Sequence, residues 1–293
     1  MPLTDHPRVV ELRGRSGVID IAVETLDGMR RHQTGRNAAF LTYYGFLTLF
    51  PLFLAASTIV GFVLENEPDL RDDLVGSAVE SVPFIGDEIA SGTITGSWLA
   101  LFIGLGAALW GSMKAFVGLQ LAYDDTWEVP IDDRAKFVTK RLRALIGLAV
   151  IGLAQVGTVA LGALVDQAGL PRFGQWMLVL GGLLINVVVT GTMYRFLTSA
   201  EPTWRMVLAG ALFCGILYTT LHFAGTALTR RILQSAETYG NFAGVLALLS
   251  WLSLHAIINL FGAEINAAMH RRRRRGQFEP ITTVAAEPPL AEA

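Results

Sequence analysis

The stretch Ala38–Leu64, AAFLTYYGFLTLFPLFLAASTIVGFVL, holds 27 residues and no charge. At about 1.5 Å of rise per residue, a helix of this length more than spans a hydrocarbon core of about 30 Å. A chain built on such a segment folds against lipid. Pro51 sits in its middle. Proline has no amide to donate, so the carbonyl of Leu47 loses its usual partner. Within a membrane, such a gap is repaired by hydroxyls, water or neighbouring helices. Thr48 lies one turn below Pro51, and Tyr44 one turn below Thr48. The segment reads as a bent membrane helix with a polar seam turned towards protein, or as a kinked packing helix with no ligand.

Composition agrees. The chain is 52% hydrophobic and 16% charged, with a mean hydropathy of +0.47. Soluble domains carry about a quarter charged residues. The single cysteine, Cys214, lies inside an apolar segment, which excludes an intrachain disulfide. Residues 1–37 are polar and mixed in charge, and the first apolar run is too long for a signal-peptide core. No cleavable signal is therefore expected.

Five further apolar segments have spanning length: Ile94–Ala122, Ala144–Val165, Phe173–Tyr194, Met206–Thr229 and Tyr239–Ala268. The loops orient them. Eighteen of the 23 Lys/Arg fall in residues 1–37, 123–143, 195–205 and the C-terminal tail. The opposite loops hold Arg71, Arg172, Arg230 and Arg231, and Lys114 lies within a span. The positive-inside rule then puts both termini in the cytoplasm. The expected fold is all-α: a polytopic membrane protein with six transmembrane helices over 38–268. A cytoplasmic segment (1–37) precedes them, and a basic, then disordered, cytoplasmic tail (269–293) follows.

Within 1–37, Val18, Ile19, Ala22, Val23, Leu26 and Met29 recur at helical spacing. They predict a short amphipathic helix on the inner membrane surface, or a solvated helix that delivers positive charge. The outer loop 65–93 carries eight acidic residues against Arg71, with Leu70, Leu74, Val75, Ala78 and Val79 marking a short helix. Its acidity either attracts cations or merely keeps positive charge off the outer side. Residues 230–240 read as a short helix or re-entrant turn. The run Arg271, Arg272, Arg273, Arg274 and Arg275 reads as a topology anchor that touches anionic lipid. Nucleic acid is not expected as a partner, and a homo-oligomer is left open.

Ionisable groups inside spans are expensive, which makes them functional candidates. Lys114 and Glu264 are the two clear ones. Lys114 is near enough to the interface to snorkel. Glu264 is expected to pair with Lys114 or with the basic loop 134–143, either as a lock between helices or in a coupling role. On the last span, His255, Asn259, Gly262 and Asn266 fall in one stripe, with Ser250, Ser253 and Glu264 opposite. A helix polar on two sides belongs at the centre of a bundle. His255 is placed either to relay protons or to hydrogen-bond a neighbour. Walker A, HExxH, GxSxG and CxxC patterns are missing, and the histidines form no metal-ligand cluster. No enzyme activity, metal or cofactor is expected.

Three segments taken together resemble a known family: LTYYGFLTLFPLF (41–53), LWGSMKAFVGLQLAYDDTWEVP (109–130) and YGNFAGVLALLSWLSLHAIINLFGAEINA (239–267). They are similar in content and order to the YihY/BrkB-like inner-membrane proteins, once labelled ribonuclease BN. The resemblance covers about residues 20–270 and implies six helices in a bacterial inner membrane. This sequence offers no nuclease chemistry to support the older label. The leading expectation is a transporter or lipid/solute translocator with a central polar site. Tyr43, Tyr44, Thr48, Lys114, Gln120, His255, Asn259, Glu264 and Asn266 would line or gate it, shaped by the kink at Pro51. The alternative is a non-transporting scaffold or envelope-integrity protein acting through partners.

Overall fold

The computed structural model describes residues 16–63, 98–167, 171–234 and 242–278. The acidic outer loop 65–93, residues 1–15, most of the 230–240 turn and the tail beyond 278 lie outside the described residues. So do the side chains of Arg230, Arg231 and Arg275. Among the described residues the fold is all-helical. Seven α-helices follow one another: α1 (Gly17–Arg31), α2 (Thr34–Val63), α3 (Trp98–Thr126), α4 (Phe137–Gln167), α5 (Pro171–Phe196), α6 (Trp204–Gln234) and α7 (Phe242–Phe278). A 3-10 turn, Ile131–Asp133, joins α3 to α4. Among the described residues, four helices contain stretches long and apolar enough to cross a membrane: Leu101–Thr126, Trp176–Phe196, Trp204–Leu221 and Gly244–Arg274.

The helices overrun the apolar segments at one end. α2 starts at Thr34, four residues before the charge-free stretch. α4 starts at Phe137 rather than Ala144, and α7 continues through the arginine run to Phe278. Hydropathy marks where lipid begins, whereas backbone hydrogen bonding continues into the headgroup layer. α2 also runs unbroken through Pro51.

Helices α2 to α7 close a ring in chain order, with α7 packed back against α2. α1 lies on α7, and α7 also reaches α3. The start of α2, the end of α3, the start of α4, the end of α5, the start of α6 and the end of α7 meet at one end. Gln120 Nε2 donates to Lys140 O at 2.8 Å, joining α3 to α4. Arg143 Nη1 donates to Thr198 O at 3.1 Å, joining α4 to the turn after α5. The Lys and Arg whose side chains are described gather at this end, called the basic end below, with Lys114 further along α3; Arg172, Arg230 and Arg231 lie on helix ends away from it.

Ala38, Phe116, Tyr123, Ala144, Tyr194, Leu197, Val207, Leu260 and Ala267 form the packed core. Gly35 at the basic end and Gly106, Gly152 and Gly157 further along lie on the exposed surface, where a Cβ would meet no described atom within 4 Å. The outer surface is apolar: α5 exposes Leu180, Leu184 and Val188, and α6 exposes Leu208, Leu212 and Ile216, each at four-residue spacing. Trp98, Trp176 and Trp204 stand exposed near helix starts, where interfacial tryptophans belong. Apolar stripes of this size suit lipid and not water.

α1 has the same inverted polarity. Ser16 caps it by accepting from Val18 N. Its buried residues are Glu24, Thr25, Asp27 and Gly28, while Val18 is 77% and Leu26 49% exposed. The polar face meets the protein and the apolar face looks outward.

Candidate functional site

Helix α7 carries two polar layers. In the first, Tyr123 OH donates to Asn259 Oδ1 at 2.5 Å, and Tyr194 OH donates to the Asn259 carbonyl at 2.5 Å. Tyr194 OH also lies 3.1 Å from Cys214 Sγ, which donates to Ile258 O at 3.2 Å. α3, α5 and α6 thus all bond to one stretch of α7. Gly262 makes this approach feasible, because a Cβ there would meet Cys214 Sγ and Tyr194 OH. Tyr218 OH donates to His255 O at 3.2 Å, and the two rings stack with centroids 5.0 Å apart. His255 Nδ1 donates to Trp251 O at 2.9 Å, within its own helix. Tyr194→Phe leaves the Asn259 carbonyl one donor short in a buried place. We expect it to cost about 1 kcal/mol, read as a lowered thermal midpoint in detergent.

The second layer is ionic and lies one turn nearer the basic end. Glu264 is 0% exposed. His32 Nδ1 donates to its Oε1 at 2.6 Å, and Thr126 Oγ1 lies 3.3 Å from the same oxygen. Its other oxygen, Oε2, is 3.7 Å from Arg271 Nη2, and both atoms are buried without a hydrogen bond. Arg271 continues the network: Nε to Glu24 Oε1 at 3.1 Å, and Nη1 to the Thr126 carbonyl at 3.1 Å and to Glu128 Oε1 at 3.4 Å. Arg31 closes it on Glu24, Asp27 and Glu128 at 3.1, 3.3 and 3.1 Å. Gly28 of α1 lies directly on Glu264 Oε2, with no room for a Cβ. One carboxylate on the last helix therefore gathers α1, the end of α3 and the start of α2.

The ten residues singled out in the sequence are not brought into one site. Tyr43 is 58% exposed, and its ring is edge-on to that of half-buried Tyr44. Thr48 donates to Tyr44 O at 2.6 Å and packs against Gly111. Pro51 is half-buried. Lys114 is exposed, with Nζ 5.7 Å from the Trp110 ring. It is not the partner of Glu264, and neither is the 134–143 loop: His32 and Arg271 are. Gln120 is buried on Lys140 O. Asn266 accepts from Gly210 N at 2.7 Å and donates to Val207 O at 3.2 Å, joining α7 to α6. Asn259 and Glu264 hold the centres of the two layers. Arg271, read with its neighbours as a lipid anchor, instead turns inward, because a buried carboxylate draws the nearest guanidinium.

Sequence reasoning missed His32, Tyr123, Tyr194 and Asp124. Asp124 is buried and accepts from Ser199 N at 2.7 Å, Thr198 Oγ1 at 3.0 Å and Ser199 Oγ at 3.2 Å. The run LAYDDT at the end of an apolar helix was the available signal for it and for Tyr123. His32 had none, since it sits among arginines outside every apolar segment.

A helical ring with apolar stripes outside, polar layers inside and four spanning stretches defines a multi-pass membrane protein. The family described as "Virulence factor BrkB" matches residues 25–283. The chain belongs to that family, and it is a multi-pass protein of the bacterial inner membrane. A ribonuclease-like protein of Bacillus subtilis (strain 168), YfkH, is 24% identical over 271 residues, covering 85% of this chain and 94% of YfkH. The inner membrane protein YhjD of Escherichia coli (strain K12) is 24% identical over 194 residues, covering 61% of this chain and 51% of YhjD. A UPF0761 membrane protein of Alkalilimnicola ehrlichii is 26% identical over 277 residues, covering 86% of this chain and 58% of the relative. The chain thus spans little more than half the length of the last two. No solved structure matches it.

Proposed function

We propose that this protein is a six-span transporter or lipid/solute translocator, with both termini cytoplasmic and the basic end facing inward. The observation that carries the reading is the buried ion cluster at the ring closure, which gathers α1, the end of α3 and the start of α2 on the last helix. On this reading the Glu264–His32–Arg271 cluster shuts the inner end. A buried ion cluster is costly at membrane depth, which makes it a functional candidate. A cluster that ties α1 to the last span opens when α1 moves. The outward stripe Val18, Ala22 and Leu26 lays α1 on the inner leaflet. Exposed Arg273 and Arg274 extend that contact to anionic lipid. The protein is read as a carrier without a cofactor, and the name ribonuclease-like stays with YfkH.

Cysteine accessibility tests this. In a Cys214→Ala background, single cysteines at 44, 48 and 259 are treated with a charged, membrane-impermeant thiol reagent in intact and inverted vesicles. Transport predicts that at least one position reacts from both sides. Folded protein that reacts from neither side is a sealed bundle, and the proposal is then wrong.

One observation favours a scaffold instead: Gln120, Asp124 and Asn266 all hold helices together. On that reading, charge reversal at Arg273 and Arg274 abolishes function, and substitution of Asn259 acts through stability alone.

A further inference from the structure

An open cleft of about 410 Å³ lies at the basic end, between the end of α1, the start of α2 and the turn after α3. Its wall includes Arg31, His32, Arg36, Asp125, Glu128 and Arg134. Three guanidiniums face two carboxylates, which leaves a positive excess. Two of the three non-glycine residues with left-handed backbone among the described residues also line it, Gln33 (φ 51°) and Glu128 (φ 54°). Such conformations cost about 1–3 kcal/mol each and cluster where a surface is shaped for a ligand.

The guanidiniums differ in what they have left to offer. Arg31 is fully engaged by Glu24, Asp27 and Glu128. Arg134 is oriented by Nε donating to Val129 O at 3.0 Å and by Nη1 at 2.9 Å from Asp125 Oδ1, which leaves Nη2 to donate. Arg36, exposed on the first turn of α2, has no ion pair with any described residue. His32 uses Nδ1 on Glu264, while Nε2, 3.7 Å from Glu128 Oε1, makes no hydrogen bond.

We infer that this cleft binds a phosphate-bearing anion, held by Arg36 and Arg134. The planar fork of a guanidinium matches phosphate oxygens. A metal cation meets the wrong net charge, and a nucleic acid needs a longer basic track than one cleft supplies. His32, with Nδ1 on Glu264 and Nε2 on the cleft side, stands between the anion and the buried cluster. The ligand is either a lipid headgroup or a free phosphate ester. The cleft lies just before the apolar run of α2, at headgroup depth. The inference stands whether or not a solute crosses the membrane.

Full-length protein in a neutral detergent is titrated calorimetrically with inorganic phosphate, with sn-glycerol 3-phosphate, and with dihexanoyl phosphatidylglycerol. Dihexanoylglycerol, which lacks the phosphate, is the control. Saturable binding of a phosphate compound and not of the control is expected, weakened about tenfold by Arg36→Ala and by Arg134→Ala. Binding of the short-chain lipid alone identifies a headgroup site, and binding of the small phosphates identifies a free ester. No phosphate-dependent binding overturns the inference, and so does binding that Arg36→Ala leaves unchanged. Arg36 is exposed, so its variant decides the matter even where Arg134→Ala fails to fold.

Discussion

Glu264→Ala is expected to destabilise the protein by about 3–5 kcal/mol, the range for removing one partner of a buried ion pair. The carboxylate is fully buried, and its loss leaves His32 Nδ1 and the Arg271 guanidinium facing a void. The measurement is the thermal midpoint of purified protein in one detergent, together with the yield of folded monodisperse material. Glu264→Gln keeps the volume and one acceptor and should lose less. A cycle with His32→Ala isolates the pair: coupling of at least about 1 kcal/mol between positions 32 and 264 is expected, as for groups in one network. Additive losses would mean that the 2.6 Å contact contributes no coupling.

Gly210→Val is expected to cost as much or more, by a different route. A Cβ at Gly210 would overlap the carbonyl oxygen of Gly262 and crowd Asn266 Nδ2. The obstacle is backbone, so no rotamer change relieves it and α6 must move off α7. Overpacking typically costs about 1–3 kcal/mol and occasionally more. This crossing also holds the bonds of Asn266 to Gly210 N and Val207 O, which would break with it. Small residues allow such close approach in membranes, where lipid gives helices little hydrophobic reason to associate. Gly152→Ala is the matched control. Its Cβ would meet nothing within 4 Å, and better helix propensity should stabilise by up to about 1 kcal/mol. Equal losses at 210 and 152 would refute the assignment of Gly210 to a close helix crossing.

The two positions also show how far the sequence could be read. The helical period placed Gly262 in the polar stripe of the last span, but not that Cys214, Tyr194 and Gly210 press on it. Hydropathy located the helices to within a few residues in the lipid and failed at their ends. α4 begins seven residues before Ala144, and α7 runs ten residues past Ala268. Transfer energy defines an apolar segment, whereas helix hydrogen bonds ignore its edges. The polar stripe on the last span was legible because period and identity are local properties. The partners of that stripe were not, since they lie as far as 136 positions away, as in the pair Tyr123–Asn259, and the partner of Glu264 on the opposite face lies 232 positions away.

The sequence by itself determined that the chain is helical and membrane-bound and that its positive charge gathers on one side. Each follows from local composition acting against a slab of lipid, and no tertiary contact is needed. The tertiary structure alone decided which charges meet. Lys114 and Glu264 looked like partners because both were ionisable groups in spans. Lys114 instead lies exposed beside Trp110, while Glu264, sealed at the ring closure, takes the cations that α1 and its own helix deliver. A buried charge pairs with whatever the fold brings within a few ångströms, and that distance is written in the packing of helices rather than in any stretch of sequence.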